Sequence, residues 1–424
     1  MFIVSYLIMY VKLKKYFENP MISAMIPKKE VIFMNRKKLF LGVLVALLCV
    51  GGASYWWYSE SRLNKMIGQM IMTGFHGDGV GENAEGFVAI ENQVKSGHVG
   101  GVILFDVDVS GLVAQGMTIP EAKKHIFSSN IKNMNQVKAL TAHLQSIAPE
   151  PLLIAVDQEG GNIQRLKPEH GFAPIPSAKE LGMGTPRQTY TIAYDLAKRL
   201  TDLSINTNWA PVLDVHNPDS PAIGGLERAF SDSVPMIITH GGAFARGLND
   251  AGVISSFKHF PGHGNAVGDS HFGVTDVTNT WTESELEPYR ELLKDASPCT
   301  AVMVAHVING KIDTVPASLS AKTIQMLRDM GFNGAIVSDD MDMGAIVEQF
   351  GFEEAIEKAI NAGNDILIFG NNLSYDKGKG EKVHQTIKKL VREGKIKKSR
   401  IKESYDRIMK MKKCLKQQSQ VKGK

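Results

Sequence analysis

The chain has 424 residues, 43% of them hydrophobic and 22% charged, an ordinary globular balance that excludes extended disorder and leaves room for one large domain or two ordinary ones. Its formal net charge is only +4, and the lysines crowd the last forty residues, so there is no broad basic face and a nucleic-acid partner is excluded. The three cysteines, Cys49, Cys299 and Cys414, are far apart in sequence and imply neither a disulfide framework nor a zinc pattern.

The first element in chain order is a targeting segment. Arg36-Lys37-Lys38 precedes an apolar run from Leu39 to Trp57, roughly long enough to cross the ~30 Å hydrocarbon core as a helix. Trp56, Trp57 and Tyr58 close it with an interfacial aromatic cluster, and the positive-inside rule leaves everything after Tyr58 outside the cytoplasm. Residues 36–58 thus read as a transmembrane signal-anchor, with a cleaved signal peptide as the alternative because Gly51 to Ala53 offers a cut site. Residues 1–35 read as an upstream extension and cytoplasmic basic segment.

Beyond Tyr58, Leu63, Met66, Ile67, Met70 and Ile71 recur at helical spacing and predict a leading helix over Leu63 to Phe75. Short apolar runs then alternate with amphipathic ones. The short runs are Val102 to Phe105, Leu152 to Val156, Trp209 to Leu213, Val253 to Phe257, Ala301 to Val304, Ala335 to Val337 and Ile366 to Phe369. Helical patterns between them cover Thr189 to Ser204, Pro235 to Ala251, Thr282 to Leu293, Ser320 to Met330 and Phe352 to Ala362. Such alternation predicts an α/β fold, a (β/α)8 TIM-type barrel of one catalytic domain over 59–416 in which one strand is short or irregular. A doubly wound open sheet is the alternative, but no glycine-rich phosphate fingerprint follows the first run. Asp106 to Asn135 is too long for a simple connection and predicts a lid or extra helix; 417–424 reads as a disordered tail.

Polar residues follow nearly every run: Asp157, Asp214, Lys258 with His259, His306, Asp339 with Asp340, and Asn371. In a barrel these ends share one face, where active sites sit. The densest stretch is Lys258-His259-Phe260-Pro261-Gly262-His263-Gly264, continuing to Asp269-Ser270-His271. Pro261 cannot extend a sheet ladder, so the strand must end there in a shaped loop.

Together with Asp157-Gln158-Glu159-Gly160-Gly161 and Arg165, Trp209 to Asp214, Glu227-Arg228-Ala229-Phe230 and Ser338-Asp339-Asp340-Met341, this stretch resembles family 3 glycoside hydrolases, in particular their β-N-acetylglucosaminidase branch. The resemblance runs in order from about Leu63 to Leu415. It implies a retaining exo-β-N-acetylglucosaminidase acting on peptidoglycan fragments through a covalent glycosyl-aspartate. Asp339 is implied as nucleophile, although on sequence alone Asp340 competes for the role. His271 is implied as proton donor with Asp269 orienting it, and Asp157, Arg165, Arg228, Lys258 and His259 as sugar ligands. For Arg165 and Arg228 a rim salt bridge is the competing role, and His263 reads as a loop-shaping residue.

No cofactor or metal is implied. A zinc hydrolase built on His259, His263, Asp269 and His271 lacks the usual ligand motifs. The remaining rivals are a β-glucosidase or β-xylosidase of the same family, attack by the substrate's own acetamido group, and an inactive wall-binding protein. Two departures from the family pattern stand out. Asn265-Ala266 occupies a place where many members have Asp-Thr, and Gly224-Gly225-Leu226 lengthens the approach to Arg228.

Overall fold

The computed structural model describes residues 59–79, 85–117, 121, 129–268 and 273–419. Eight strands form one parallel sheet: β1 (Ile71–Thr73), β2 (Gly101–Ile103), β3 (Leu153–Val156), β4 (Thr207–Asn208), β5 (Ser255–Phe260), β7 (Thr300–Val304), β9 (Ile336–Asp340) and β10 (Ile366–Phe369). Two further short strands, β6 (Thr275–Asp276) and β8 (Val307–Ile308), pair outside it. The order β4-β3-β2-β1-β10-β9-β7-β5 leaves only the β4–β5 seam open. Backbone bonds close that seam, from Asn208 to Ile254 (2.8 Å), Ser256 to Ala210 (2.9 Å) and Leu213 to Lys258 (2.6 Å). The result is a nearly closed TIM-type barrel.

The barrel strands are almost wholly buried and rich in β-branched residues, as a parallel sheet covered by helices requires. Ile154, Val156, Val302, Val304, Ile336, Val337 and Leu367 are at most 1% exposed. Helices Pro186–Asp202 and Val234–Asp250 cover one side, each entered through a proline in its first turn.

Three expectations are corrected here. The leading helix does not continue to Phe75: it ends by residue 70, and Ile71–Thr73 becomes β1, the strand missing from the sequence reading. Both periodicities were satisfied by the same apolar residues, and pairing of Ile71 to Thr73 with Leu367 to Phe369 decided the outcome. The third run also shifts, since β4 is Thr207–Asn208 while Trp209 to Leu213 leaves the sheet after a single bridge from Val212 to Lys258. Pro211, which has no amide hydrogen to give a ladder, sits in the middle of that run. Finally, Cys299 and Cys414 form a disulfide across a sequence separation of 115, with Cα atoms 5.9 Å apart. Distance along the chain said nothing about this, because the last helix folds back beneath the barrel.

That helix, Lys398–Ser419, buries Ile401, Ile408 and Met411 and partly covers Tyr405 and Leu415, as its periodicity predicts. It also buries Lys412, whose ammonium donates to Gln69 Oε1 (2.6 Å), Gly100 O (2.8 Å) and Pro151 O (2.7 Å). These oxygens precede β1, β2 and β3, so the clasp lies on the face opposite the strand exits. The connection after β2 is pinched at its base, where Asn130 N donates to Phe105 O (2.9 Å) and Phe105 N to Asn130 Oδ1 (3.0 Å). Its described part carries a short helix, Val109–Ala114, in the place where an extra helix was expected.

The expected span 36–58 lies outside the described residues, as do 1–35 and the last residues of the 417–424 tail. Among the described residues, no helix is long and apolar enough to cross a membrane.

Candidate active site

The strand exits deliver charged groups from β3, β4 and β5 into one connected network. Glu159 is its pivot. Its carboxylate grips Arg228 through two bonds, from Nε to Oε2 and from Nη2 to Oε1, both 2.8 Å, and also accepts Lys258 Nζ at 2.7 Å. Lys258 reaches on to Asp157 Oδ1 (3.1 Å), and Arg165 Nη2 approaches Asp157 Oδ2 at 3.3 Å. Arg228 Nη2 lies 3.2 Å from His259 Nε2, while Nδ1 of the same ring bonds Asp214 Oδ2 at 2.6 Å. Because the Asp214 carboxylate takes the Nδ1 hydrogen, it fixes the tautomer and leaves Nε2 for a partner in the site.

Local backbone geometry explains how these groups meet. After β3, Gln158 N donates to Asn208 Oδ1 and Asn208 Nδ2 returns a bond to Gln158 O, both 2.9 Å, so β4 holds the exit of β3. Gly160 and Gly161 then take positive φ of 104° and 55°, and a Cβ on Gly160 would come within 2.1 Å of Pro176 O. Only glycine fits, and the resulting turn aims Glu159 inward. Gln158 Oε1 accepts from Arg165 N (2.8 Å) and Leu166 N (2.9 Å), bringing Arg165 back beside Asp157.

Burial sets the electrostatics. Glu159 and Lys258 are 4% and 2% exposed, so each charge is tenable only because opposite charges stand beside it. Burial by itself would raise the pKa of Glu159, but Arg228 and Lys258 outweigh it and hold the carboxyl well below the usual range. Asp157 is likewise lowered despite burial, by Lys258 and Arg165, and Asp214 despite burial by His259. Arg228 is raised, its own burial overcome by Glu159. Burial and the neighbouring His259 push His263 down to about 4, leaving it neutral, and its backbone N–H donates to Asp214 Oδ1 at 2.8 Å. This agrees with a loop-shaping part for His263.

Across the barrel, β9 ends in Asp339 and Asp340, and their carboxylates have different surroundings. Asp340 Oδ1 accepts from Gly370 N (2.7 Å) and Asp342 N (3.0 Å), tying the β9 and β10 exits together. Burial, then Asp342 and Asp339, push Asp340 up to about 7. Asp339 Oδ1 accepts the adjoining amide of Asp340 at 2.8 Å. Asp340 is thus committed to the junction of the β9 and β10 exits. His306 and Asn371 are structural as well. His306 bridges Ser318 Oγ (2.6 Å) and Asp340 O (3.0 Å), and Asn371 Nδ2 bonds Gly74 O (3.1 Å) and Asp376 O (2.9 Å).

The structure thus gathers Asp157, Arg165, Arg228, Lys258 and His259 at one end of the barrel and sets Asp339 at the same face. Asp269 and His271 lie outside the described residues. Arg228 makes its salt bridge to Glu159 within this network. The added Gly224-Gly225-Leu226 does not displace it: Arg228 Nη1 also donates to Ala222 O at 2.9 Å. Arg165 additionally faces Asp106 at 3.9 Å, which joins the connection after β2 to the network. Sequence reasoning missed Glu159 and Asp214 as working members. Both stood in quoted motifs, and a carboxylate two residues after Asp157 with no basic neighbour in sequence was the available signal.

Residues 62–411 match the model of the glycosyl hydrolase family 3 N terminal domain. The β-hexosaminidase of Tolumonas auensis is 38% identical over 58% of this chain and 75% of its own length. The β-hexosaminidase LpqI of Mycobacterium tuberculosis is 38% identical over 52% of this chain, which spans 59% of that relative. A family 3 β-N-acetylglucosaminidase structure from Paenibacillus superposes with a TM-score of 0.71 at 31% identity, covering 83% of this chain and 62% of that one. The chain belongs to glycosyl hydrolase family 3.

Proposed function

We propose that this chain is a retaining exo-β-N-acetylglucosaminidase that removes terminal β-linked N-acetylglucosamine from peptidoglycan fragments. The observation that carries the reading is the buried Asp157–Lys258–Glu159–Arg228–His259–Asp214 network at the strand exits, facing the same barrel mouth as Asp339. A polyol needs many directional charged donors and acceptors in a partly dry cleft, and this network supplies them already oriented. The relatives' names support the β-N-acetylhexosaminide class, and peptidoglycan fragments follow from the family resemblance and the proposed location.

In the proposed mechanism the Asp339 carboxylate attacks C1 of the sugar while His271 gives its proton to the departing oxygen. The products are a glycosyl ester on Asp339 and the freed aglycone. Water then attacks C1, His271 takes back a proton, and Asp339 leaves as carboxylate, so two inversions retain the β configuration. Asp269 holds the imidazole, and Lys258, His259, Asp157, Arg165 and Arg228 hold the sugar hydroxyls. No metal or cofactor takes part.

The proposed setting is outside the cytoplasm, with residues 36–58 as membrane anchor or cleaved signal and 59–416 as the barrel. The Cys299–Cys414 disulfide supports it, because such bonds persist in oxidising compartments. Hydrolysis of a chromogenic β-N-acetylglucosaminide beside the matching glucoside tests the specificity, with His271→Ala and Asp339→Asn as controls. Faster cleavage of the glucoside refutes it. Trapping with a fluorinated sugar and peptide mass analysis tests the nucleophile, and a label anywhere but Asp339 overturns that role.

A further inference from the structure

A carboxyl group outside this network sits under the turn that leads toward Asp269. Glu285 belongs to a single 3-10 turn, Glu283–Leu286, and is 2% exposed. Its Oε1 accepts from Asn265 Nδ2 at 3.0 Å and from Thr282 N at 3.3 Å. Its Oε2 is buried without a hydrogen-bond partner among the described residues. Gly262 lies directly above: its φ is +132°, and a Cβ there would come within 2.6 Å of Oε2. One carboxyl therefore touches both ends of the Gly262–Asn265 turn.

The turn is held from the other side too, by His263 N on Asp214 Oδ1 (2.8 Å) and by Asn217 Nδ2 on Asn265 Oδ1 (3.2 Å). Around Glu285 stand Asp214 from the β4 exit and Tyr289 from the helix Glu287–Leu292. The Tyr289 hydroxyl is also buried with no hydrogen-bond partner among the described residues. Glu283 on its own turn and Glu287 at the start of the next helix point outward and pair with Arg290. No cation pairs with Glu285 among the described residues, and the charge that acts on it is the Asp214 carboxylate. Such a site favours the neutral acid.

We propose that Glu285 is a positioning residue for the candidate proton donor: as a neutral carboxyl it seats the Gly262–Asn265 turn, and its ionisation loosens that seat. The inference rests on the reading of Asp269 and His271, four and six residues beyond Asn265, as the donor pair. Burial and Asp214 push Glu285 up to about 7, so the seat is firm in mild acid and weakens as the pH rises through neutrality. Asn265 fits this role. Its amide donates to Glu285 in either protonation state, whereas an aspartate there would set two carboxyls on one hydrogen bond and require a shared proton.

Hydrogen exchange of the peptide spanning 261–268, measured on the full chain at pH 6 and pH 8 and corrected for intrinsic rates, tests the seat. Protection in the wild type falls several-fold from pH 6 to pH 8, while Glu285→Gln, neutral at both, stays protected at both. Asn265→Asp moves the loss to higher pH, and Glu285→Ala loses protection throughout. In activity, Glu285→Ala lowers kcat by 10- to 100-fold with KM within threefold, because Glu285 bonds none of Lys258, His259 or Asp157. Equal wild-type protection at both pH values, or a Glu285→Ala enzyme with unchanged kcat, overturns the proposal. If Glu285→Ala fails to fold, the pH comparison of wild type with Glu285→Gln still decides. Failure of the underlying donor assignment is read separately, as full activity in His271→Ala.

Discussion

Replacing Glu159 by glutamine tests the central claim that this carboxylate is the ionic pivot of the site. The substitution is nearly isosteric and keeps one acceptor oxygen, but it removes the negative charge that both Lys258 and Arg228 contact directly. Lys258 would retain Asp157 at 3.1 Å, and Arg228 would keep only Ala222 O and the His259 ring. Removing one partner of a buried pair costs about 3–5 kcal/mol, because the other charge is left buried without compensation. With an unfolding entropy of about 2.1 cal/mol/K per residue, spread over the roughly 350 residues of the family match, Tm falls by roughly 4–7 °C. The effect also has a defined pH sign. A carboxyl held below its ordinary value stabilises the fold above the unfolded pKa near 4.5 and loses that contribution as the pH drops further. Scanning calorimetry should therefore show the wild-type advantage at pH 7 and its shrinkage below about pH 4.5. With a chromogenic β-N-acetylglucosaminide, kcat/KM should fall by at least about 100-fold, the equivalent of about 2.7 kcal/mol. A variant within 1 °C of wild type, or with kcat/KM unchanged, refutes the assignment of Glu159 as pivot.

The two aspartates of β9 should separate cleanly in steady-state kinetics. Asp339→Asn loses at least about 10³-fold in kcat, whereas Asp340→Asn keeps an acceptor for Gly370 N and Asp342 N and loses less than about tenfold. Because Asp340 is raised to about 7, its favourable contribution is complete below its unfolded pKa and is lost as the pH rises through 7, so Asp340→Asn gains stability relative to wild type at pH 8. Comparable losses in both variants would refute the division of roles. Reducing Cys299–Cys414 opens a long loop and lowers stability by about 4–5 kcal/mol on the chain-entropy model, read as a lower Tm in reductant; an unchanged Tm would argue that the bond does not form. Lys412→Met strands three buried oxygens and costs about 3 kcal/mol, seen as a lower urea midpoint, with kcat untouched because the clasp is on the far face of the barrel.

The barrel was legible because parallel strands buried on both faces leave uninterrupted apolar runs, and six of the eight appear in the sequence within two or three residues of their ends. The exceptions have physical reasons. β1 is three residues long and continues a helical apolar pattern, so only its pairing with β2 and β10 reveals it. β4 is two residues long, and the conspicuous Trp209 to Leu213 run that follows is a buried exit segment. The site was legible in its charged residues and illegible in their partnerships. Lys258 and His259 are adjacent in sequence, yet Lys258 answers to Asp157 and Glu159 after β3 and His259 to Asp214 after β4. The carboxylates come from the β3 and β4 exits and the side chains they hold from β5, so no local spacing encodes the pairing; the barrel's circular order does. The same logic separates the groups that hold from those that react. A carboxylate committed to two buried cations, as Glu159 is, has its proton affinity driven too low to act as acid or base near neutral pH. One bound to backbone amides, as Asp340 is, cannot turn toward a sugar without breaking the β9–β10 junction. Asp339 shares that strand end, and it is the carboxylate to which the proposed mechanism gives the attack on the sugar.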